Sequence, residues 1–282
     1  MTKILVLGGT RYVGSSLCTL LRQEDPQRDV RTLSRNETPD YHHSHFVCDR
    51  KDQSRLYEVF ETFRPEIVID MVNFAKDDSE GLVLAHQYGL LSQTYHYITV
   101  SSFFVYNYFE HAEFKERWID LPLPSVEMDG YTRRKIEMEH VLSNSPLRDI
   151  STVFRFPFIF SSDDYSGRFQ KLCQLAISSK NPDTFPAHRF SMVSRSAAAM
   201  ALSEAAAREP LGIVDFADRG CASIPELCDA IARIEKPGES SDDISVPYAV
   251  EHDICITTEK METAENLAVA IEREARDYFS SV

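Results

Sequence analysis

The chain has 282 residues and a formal net charge of −14 at pH 7. Such an acidic excess disfavours nucleic acids and anionic membranes as partners, because like charges repel and counterion release works against binding. The length suits one large α/β domain, or a nucleotide-binding domain with a smaller companion.

The N-terminal stretch predicts a strand that leads into a glycine turn and a helix. Five mostly apolar residues over Lys3–Leu7 lack helical periodicity and predict a strand buried on both faces. Gly8 and Gly14 then have the outer spacing of a dinucleotide-binding fingerprint, with Arg11 in place of the middle glycine. Backbone N–H groups at such a turn bind phosphate. We therefore predict cofactor contacts from Gly8, Thr10, Arg11, Tyr12, Val13 and Gly14.

The end of the second predicted strand, Asp29–Ser34, bears on the choice of cofactor. An acidic residue at this position suits NAD, whereas basic and hydroxyl groups suit the additional 2′-phosphate of NADP. Ser34 and Arg35 stand here, and Arg11 in the glycine turn could reach the same phosphate. We predict NADP in preference to NAD. The alternative is that both arginines are simply solvated.

Three polar features follow in chain order. The histidines between positions 41 and 45 lie in a polar loop without Cys or carboxylate at ligand spacing, so we predict no metal site. Asp49 follows a short strand over 45–48, where its carboxylate either accepts a hydrogen bond from an adenine amino group or caps the next turn. Asn73 ends a strand over 66–73 and is predicted to face the ligand crevice and contact the cofactor.

The cysteines and the N-terminal sequence indicate the cellular compartment in which the protein is expected. The six cysteines, at positions 18, 48, 173, 221, 228 and 255, show no close pairing and sit mostly in apolar patterns. We expect reduced, buried thiols without a disulfide framework. The chain runs directly into a strand, and it has no apolar stretch of membrane-spanning length. These features predict a cytoplasmic protein.

Strands alternate with helices through the first half of the chain. Predicted helices over 52–63 and 78–92 precede a fifth strand over 95–102. This alternation predicts an α/β fold with a doubly wound, Rossmann-type parallel sheet. We place a dinucleotide-binding domain at 1–155, interleaved with later elements, and a smaller C-terminal substrate-binding region at 156–282. Helices in that region are predicted over 166–180, 195–208, 223–235 and 259–280.

A tyrosine and a lysine four residues apart open a predicted helix. Tyr131 and Lys135 share one face of that helix. A phenol with a pKa of about 10 is a poor base at neutral pH, and a neighbouring ammonium favours the phenolate. Ser102, at the end of a strand, offers a hydroxyl for a substrate oxygen. The pair alone is also typical of an exposed helix start, but together with the strand-end serine and the glycine turn it indicates acid–base chemistry.

These motifs, together with the segments 101–106 (Ser-Ser-Phe-Phe-Val-Tyr) and 154–157 (Phe-Arg-Phe-Pro), resemble those of the short-chain dehydrogenase/reductase superfamily. The resemblance is to its extended branch, the NAD(P)-dependent epimerase/dehydratase family, and covers nearly the whole chain. It implies catalytic roles for Ser102, Tyr131 and Lys135, the latter two also contacting the cofactor. It further implies that Asp49 contacts adenine and that Pro157 lies near the carboxamide of the nicotinamide.

Departures from the family pattern limit the inferred reaction. The residues after the catalytic hydroxyl are acidic in nucleotide-sugar 4,6-dehydratases, whereas Phe103 and Phe104 stand here and cannot transfer protons. That reaction is therefore disfavoured, and we expect both rings in the substrate site. Arg189 is shifted by one position from the arginine that binds the nucleotide diphosphate in the family, and it is predicted to bind substrate. Arg195 stands where the family has an aspartate.

The sequence thus predicts an NAD(P)-dependent oxidoreductase or epimerase that moves hydride between the nicotinamide and a secondary alcohol or ketone, with a sugar or nucleotide-sugar as candidate substrate. An NADP preference favours net reduction. The alternative is a non-catalytic nucleotide-binding or RNA-associated regulatory protein on the same fold, which the presence of Ser102, Tyr131 and Lys135 opposes. A small-molecule substrate and a monomer or homodimer are expected.

Overall fold

The structure is a computed structural model. It describes residues 1–38, 44–108, 116, 118, 129–178, 187–234, 248, 253–256, 261 and 264–281. The strands among these residues are β1 (Lys3–Leu7), β2 (Asp29–Ser34), β3 (His45–Val47), β4 (Ile67–Asp70), β5 (His96–Ser102), β6 (Ser151–Phe156), β7 (Phe158–Phe160), β8 (Met192–Ser194) and β9 (Gly212–Asp215). The α-helices are α1 (Tyr12–Glu24), α2 (Gln53–Phe63), α3 (Lys76–Gln87), α4 (Gly130–Ser143), α5 (Arg168–Ile177), α6 (Arg195–Ala206), α7 (Ile224–Ala232) and α8 (Leu267–Ser281). Short 3-10 helices cover Phe103–Tyr108 and Pro146–Ile150.

Seven strands form one parallel sheet in the order β3-β2-β1-β4-β5-β6-β9. The strand order reverses between β1 and β4, where the register pairs Leu7 with Asp70. Ligands of open α/β sheets bind outside the carboxyl ends of the strands at such a reversal. The predicted α/β fold with a Rossmann-type sheet is confirmed.

The chain divides into two compact units. The first contains Met1–Arg155 and Ala199–Asp215, and the second contains Phe156–Ala198 and Phe216–Val282. All seven strands of the large sheet lie in the first unit, apart from the last residue of β6. The second unit contains the parallel pair β7–β8 and the packed helices α5, α7 and α8. The first unit therefore includes a segment of the chain that returns after residue 198.

The sheet core follows from apolar strand composition. Ile4, Leu5, Val6 and Leu7 of β1 are completely buried, which is the burial expected of a central parallel strand covered by helices on both faces. Charged side chains also lie in this core, among them Asp70, Glu139 and Arg155. Buried charges require partners, and those partners connect the sheet to the candidate site described below.

The element boundaries differ from the sequence prediction mainly in the second unit. The last helix begins at Leu267 rather than 259, and two short strands, β7 and β8, were not predicted. Strands of three residues are too short to show a periodic pattern. The predicted polar loop 235–243 and histidine positions 41–43 lie outside the described residues. No helix in the described part of the chain is long and apolar enough to span a lipid bilayer.

The expectation of six reduced cysteines is wrong for one pair. Cys221 and Cys255 form a disulfide across 34 residues of sequence. Cys18, Cys48, Cys173 and Cys228 are buried free thiols, as predicted. The pair escaped sequence analysis because the two residues meet only through tertiary structure, on either side of the backbone at Arg189 and Phe190.

Candidate active site

The glycine turn after β1 packs tightly against neighbouring backbone. Gly8 has a φ of +82°, and its N–H donates to Leu33 O at 2.8 Å. A Cβ at Gly8 would lie 2.6 Å from Cγ1 of Val72, and a Cβ at Gly14 would collide with the carbonyl oxygen of Gly8. Both positions therefore require glycine, the first for conformation and space and the second for the approach of α1 to the turn.

The first turn of α1 has the properties of an anion site. Arg11, at the N-cap, makes no side-chain hydrogen bond to the helix, and the first turn contains no acidic residue. Tyr12 adopts a φ of +49°, which residues with a side chain rarely do. Uncapped N–H groups and the helix dipole favour an anion here. This cradle fits the pyrophosphate of a dinucleotide.

Ser34, Arg11 and Arg35, the residues predicted to favour NADP over NAD, differ in their surroundings. Ser34 Oγ donates to Asn36 O at 3.1 Å and lies 3.3 Å from His45 Nε2. Arg11 and Arg35 are exposed. Thr10 and Tyr12 are half-buried, whereas Val13 packs in the core. Any contact from Val13 to a cofactor would therefore come from its backbone.

Asp49 and Asn73 occupy different environments. Asp49 is exposed and its Oδ1 accepts from Lys51 N at 3.0 Å, so it caps the following turn, one of its two predicted roles. Asn73 does not face an open crevice, as was predicted, because its side chain is 1% exposed and its amide is bonded to Ser79 and Tyr97. The polar partners on α3 and β5 draw the amide inward.

Ser102 ends β5 at the start of a 3-10 helix. Its side chain is buried, and its Oγ accepts from Phe104 N at 3.3 Å. Phe103 is completely buried and packs against Phe104 in a tilted arrangement, with ring centroids 4.5 Å apart and ring planes at 48°. The predicted substrate contact from Phe103 is therefore not supported, since its ring is enclosed by protein. Phe104 packs edge-on against Tyr131, with ring centroids 6.3 Å apart.

A strong N-cap determines where α4 begins. Asp129 Oδ1 accepts from the backbone N–H groups of Tyr131 and Thr132, both at 2.9 Å. Burial raises the pKa of Asp129, but hydrogen bonds from Thr132 and Tyr131 outweigh it and lower the pKa. The cap places Tyr131 in the first helical turn, where the residue is 42% exposed. Tyr131 is therefore open to solvent while its backbone is fixed.

Lys135, one turn further along α4, is 3% exposed. Its Nζ donates to Asn73 O and to Val100 O, both at 2.8 Å, and lies 5.2 Å from the ring centroid of Phe74. Burial lowers the pKa of Lys135 to about 8, although nearby carboxylates, that of Asp70 most strongly, oppose the shift. The ammonium is thus held by two backbone carbonyls and remains largely protonated at pH 7.

A buried polar network joins helix α4 and the 3-10 helix after β5 to the sheet. Arg155 Nε and Nη2 donate to the two carboxylate oxygens of Glu139 on α4, at 3.0 and 2.6 Å. Arg155 Nη1 also donates to Tyr106 OH at 2.7 Å, and Tyr106 OH donates to Asp215 Oδ2 at 2.5 Å. Burial raises the pKa of Asp215 to about 6. This network was not predicted from the sequence, although a charged residue within an apolar strand, such as Arg155, is a signal for a buried partner.

Two predicted site residues lie in the second unit. Pro157 follows β6. Arg189 Nη2 donates to Cys221 O at 2.5 Å, and its Nη1 lies 3.4 Å from Glu226 Oε1. Arg195 pairs with Asp163. The cofactor role of Pro157 and the substrate role of Arg189 remain predictions.

Residues 4–88, from β1 to just beyond α3, match the model of the NAD dependent epimerase/dehydratase family. The predicted family resemblance is confirmed. The matched residues include the glycine turn and Asn73, and they end before Ser102, Tyr131 and Lys135. No curated protein matches the sequence significantly.

Solved structures share the fold over nearly the whole chain. The dTDP-glucose 4,6-dehydratase of Bacillus anthracis is 14% identical with a TM-score of 0.72, over 100% of this chain and 97% of that one. The UDP-N-acetylglucosamine 4-epimerase of Bacillus cereus is 15% identical with a TM-score of 0.71, over 99% of both chains. The dTDP-4-dehydrorhamnose reductase of Bacillus anthracis is 13% identical with a TM-score of 0.68, over 98% and 99%. At identities this low, the structural similarity establishes a shared fold and does not establish a shared function.

Proposed function

We propose that the protein is an NAD(P)-dependent oxidoreductase or epimerase acting on a secondary alcohol or ketone. The observation that carries the proposal is the placement of Lys135 on α4, the helix whose first turn carries Tyr131. The Lys135 ammonium is buried and held by the carbonyls of Asn73 and Val100. Among the described residues Lys135 has no acidic partner in direct contact, and a buried lysine of this kind is costly to maintain. The position of this buried lysine, one turn after an accessible phenol, suits acid–base catalysis better than a structural role.

The mechanism assigns one task to each side chain. When bound, the nicotinamide accepts or supplies the hydride. Tyr131 exchanges the proton of the substrate hydroxyl, and the positive charge of Lys135 favours the phenolate form of Tyr131. Ser102, at the end of β5, holds the substrate oxygen by a hydrogen bond as the carbonyl forms. The turn at Gly8 and Gly14 holds the pyrophosphate.

The substrate is proposed to be a sugar or nucleotide-sugar. The support is that structures sharing this fold include a UDP-N-acetylglucosamine 4-epimerase and a dTDP-4-dehydrorhamnose reductase. Arg189, which is half exposed, is the proposed diphosphate contact. Elimination of the 4,6-dehydratase type is disfavoured, because neither Phe103 nor Phe104 can transfer a proton.

NADP is the proposed cofactor in preference to NAD. Structures with this fold bind one or the other, since the dehydratase is a complex with NAD and the reductase a complex with NADP. The support in this chain is the exposed pair Arg11 and Arg35, with Ser34 at the strand end instead of a carboxylate. We further propose that the protein acts on a small molecule, because its charge of −14 disfavours nucleic acids and anionic membranes as partners. The cytoplasmic location and the monomeric or homodimeric state remain predictions, and the Cys221–Cys255 disulfide is unusual for a reducing compartment.

The proposal is tested first by cofactor binding. We expect NADP and NADPH to raise the melting temperature of the protein more than NAD and NADH do. Gly14→Ala should abolish the shift, because its Cβ would collide with the carbonyl of Gly8. Gly81→Ala is the comparison variant, at a helical glycine where a Cβ would lie 3.4 Å from Nε2 of the flexible Gln53 side chain. A larger shift with NAD would overturn the NADP assignment, and no shift with any nicotinamide would overturn the proposed function.

Activity is tested second, with Tyr131→Phe. Loss of the phenol should lower the rate of NADPH-dependent ketone reduction by about 10²–10⁴-fold while cofactor binding persists. Tyr88→Phe, at an exposed tyrosine just after α3, should leave the rate unchanged. Equal rates for Tyr131→Phe and the unmodified protein would refute the catalytic assignment.

A further inference from the structure

The two carbonyls that bind Lys135 differ in how they are held. Val100 lies within β5, so its carbonyl is fixed by the sheet. Asn73 lies three residues beyond the end of β4, in the connection to α3. A carbonyl in a connecting loop keeps its direction only if other contacts hold the loop. The position of the Lys135 ammonium therefore depends on what holds Asn73.

The side chain of Asn73 is held from two sides. Its Nδ2 donates to Ser79 Oγ and to Tyr97 OH, both at 3.0 Å. Ser79 Oγ in turn donates to Asn73 Oδ1 at 3.2 Å. All three residues are buried. The amide thus ties the loop to α3 and to β5, where a buried amide must keep its partners to avoid a desolvation cost.

The chain of hydrogen bonds continues from Tyr97 to a buried charge pair. Tyr97 OH donates to Asp70 Oδ2 at 3.2 Å, and burial raises the pKa of Tyr97, so the hydroxyl stays protonated. Arg50 Nη1 donates to both carboxylate oxygens of Asp70 at 2.7 Å. Asp70 Oδ1 also accepts from Val72 N at 3.0 Å, which holds the start of the loop. Asp70 is therefore held by Arg50 and by the backbone of Val72, and it anchors the far end of the chain.

We propose that the hydrogen-bond chain Asp70–Tyr97–Asn73 positions the ammonium of Lys135. The three are positioning residues, since they act on Lys135 through the carbonyl of Asn73, and their catalytic consequence rests on the proposed function. The charged groups near Lys135 are Asp70 on β4, Asp78 on α3, Glu139 on α4 and Arg50 before α2.

The test measures the pKa of Lys135 from a pH titration of its side-chain Cε signal by NMR. The signal is assigned to Lys135 because it is missing from the spectrum of the Lys135→Arg variant. The pKa of about 8 should fall in Tyr97→Phe, because a displaced Asn73 carbonyl no longer stabilises the charged ammonium. We expect a fall of about one unit or more, the scale of a lost hydrogen bond to a charged group. The alkaline limb of the reductase rate should move by the same amount.

Tyr57→Phe is the matched control. Tyr57 OH donates to Gly81 O of α3 at 3.0 Å, so the variant loses one hydrogen bond to α3 outside the chain. Its Lys135 should titrate as in the unmodified protein. If Tyr97→Phe does not fold, Ser79→Ala removes the other partner of the Asn73 amide and serves instead.

The outcomes separate this inference from the proposed function. An unchanged Lys135 pKa in a folded Tyr97→Phe protein would overturn the positioning role, whatever the activity. An equal fall in Tyr57→Phe would overturn it as well. The Lys135 pKa could fall in Tyr97→Phe alone while the protein binds no nicotinamide. That result would support the positioning role and refute only the proposed redox chemistry.

Discussion

The surroundings of Lys135 and Arg189 show two ways of placing a cation. Lys135 is 3% exposed and held by carbonyls whose directions depend on buried polar groups. The Arg189 side chain is 51% exposed, and its contacts are one backbone carbonyl and an equally exposed Glu226. The first cation is placed by the core of its unit and the second by a surface segment. The proposed catalytic lysine is therefore positioned by the same buried contacts that stabilise the fold, whereas the proposed substrate contact, Arg189, is not.

The largest effect is expected from the core that holds α4. Glu139→Ala leaves Arg155 charged and buried without its bidentate partner, and the loss of one member of a buried pair costs about 3–5 kcal/mol. We expect the free energy of unfolding, measured with urea, to fall by that amount.

Glu137→Ala is the matched control on the same helix. Glu137 pairs with Arg133, whose side chain is 63% exposed, and such a pair contributes less than about 1 kcal/mol. Similar losses of unfolding free energy in the two variants would show that the buried Glu139–Arg155 pair stabilises α4 no more than the exposed Glu137–Arg133 pair does.

An intermediate effect is expected from the disulfide near Arg189. Reduction, or Cys255→Ser, should lower the free energy of unfolding of the second unit by about 2–4 kcal/mol. Cysteine labelling in denaturant without reductant should find the four free thiols Cys18, Cys48, Cys173 and Cys228. Labelling of all six before reduction would contradict the pairing.

The smallest effect on stability is expected at Arg189 itself. Arg189→Ala removes an exposed pair with Glu226 and should change the free energy of unfolding by less than about 1 kcal/mol. If Arg189 binds a substrate diphosphate, the KM for a nucleotide-sugar should rise about tenfold or more. Arg233→Ala, at an exposed arginine of the same unit, should leave the KM unchanged. An unchanged KM in Arg189→Ala would remove Arg189 from the substrate site.

Local patterns predicted the parts of the molecule that depend on neighbours in sequence. The turn from Gly8 to Gly14 and the helix that carries Tyr131 and Lys135 are set by spacing and by a cap at Asp129. The small strands β7 and β8 are too short to leave a pattern.

Contacts between distant residues were not predictable in the same way. Asn73 was expected to face the ligand crevice because it ends a predicted strand, but the hydroxyl of Tyr97, 24 residues away, draws it inward. Arg155 and Glu139 are likewise separate in sequence, and their pairing depends on how α4 lies on the sheet. A charged residue within an apolar strand indicates that a buried partner exists, but the sequence does not identify which residue that partner is.

The return of residues 199–215 to the first unit has a consequence for how the chain is made. Strand β9 pairs with β6 from Thr152 to Arg155, and Asp215 holds the hydroxyl of Tyr106. A fragment that stops at residue 155 would have a bare sheet edge and an open polar network, which favours aggregation. On the ribosome, the first unit cannot complete its sheet until residue 215 has emerged, long after helix α4 with Tyr131 and Lys135 has been synthesised.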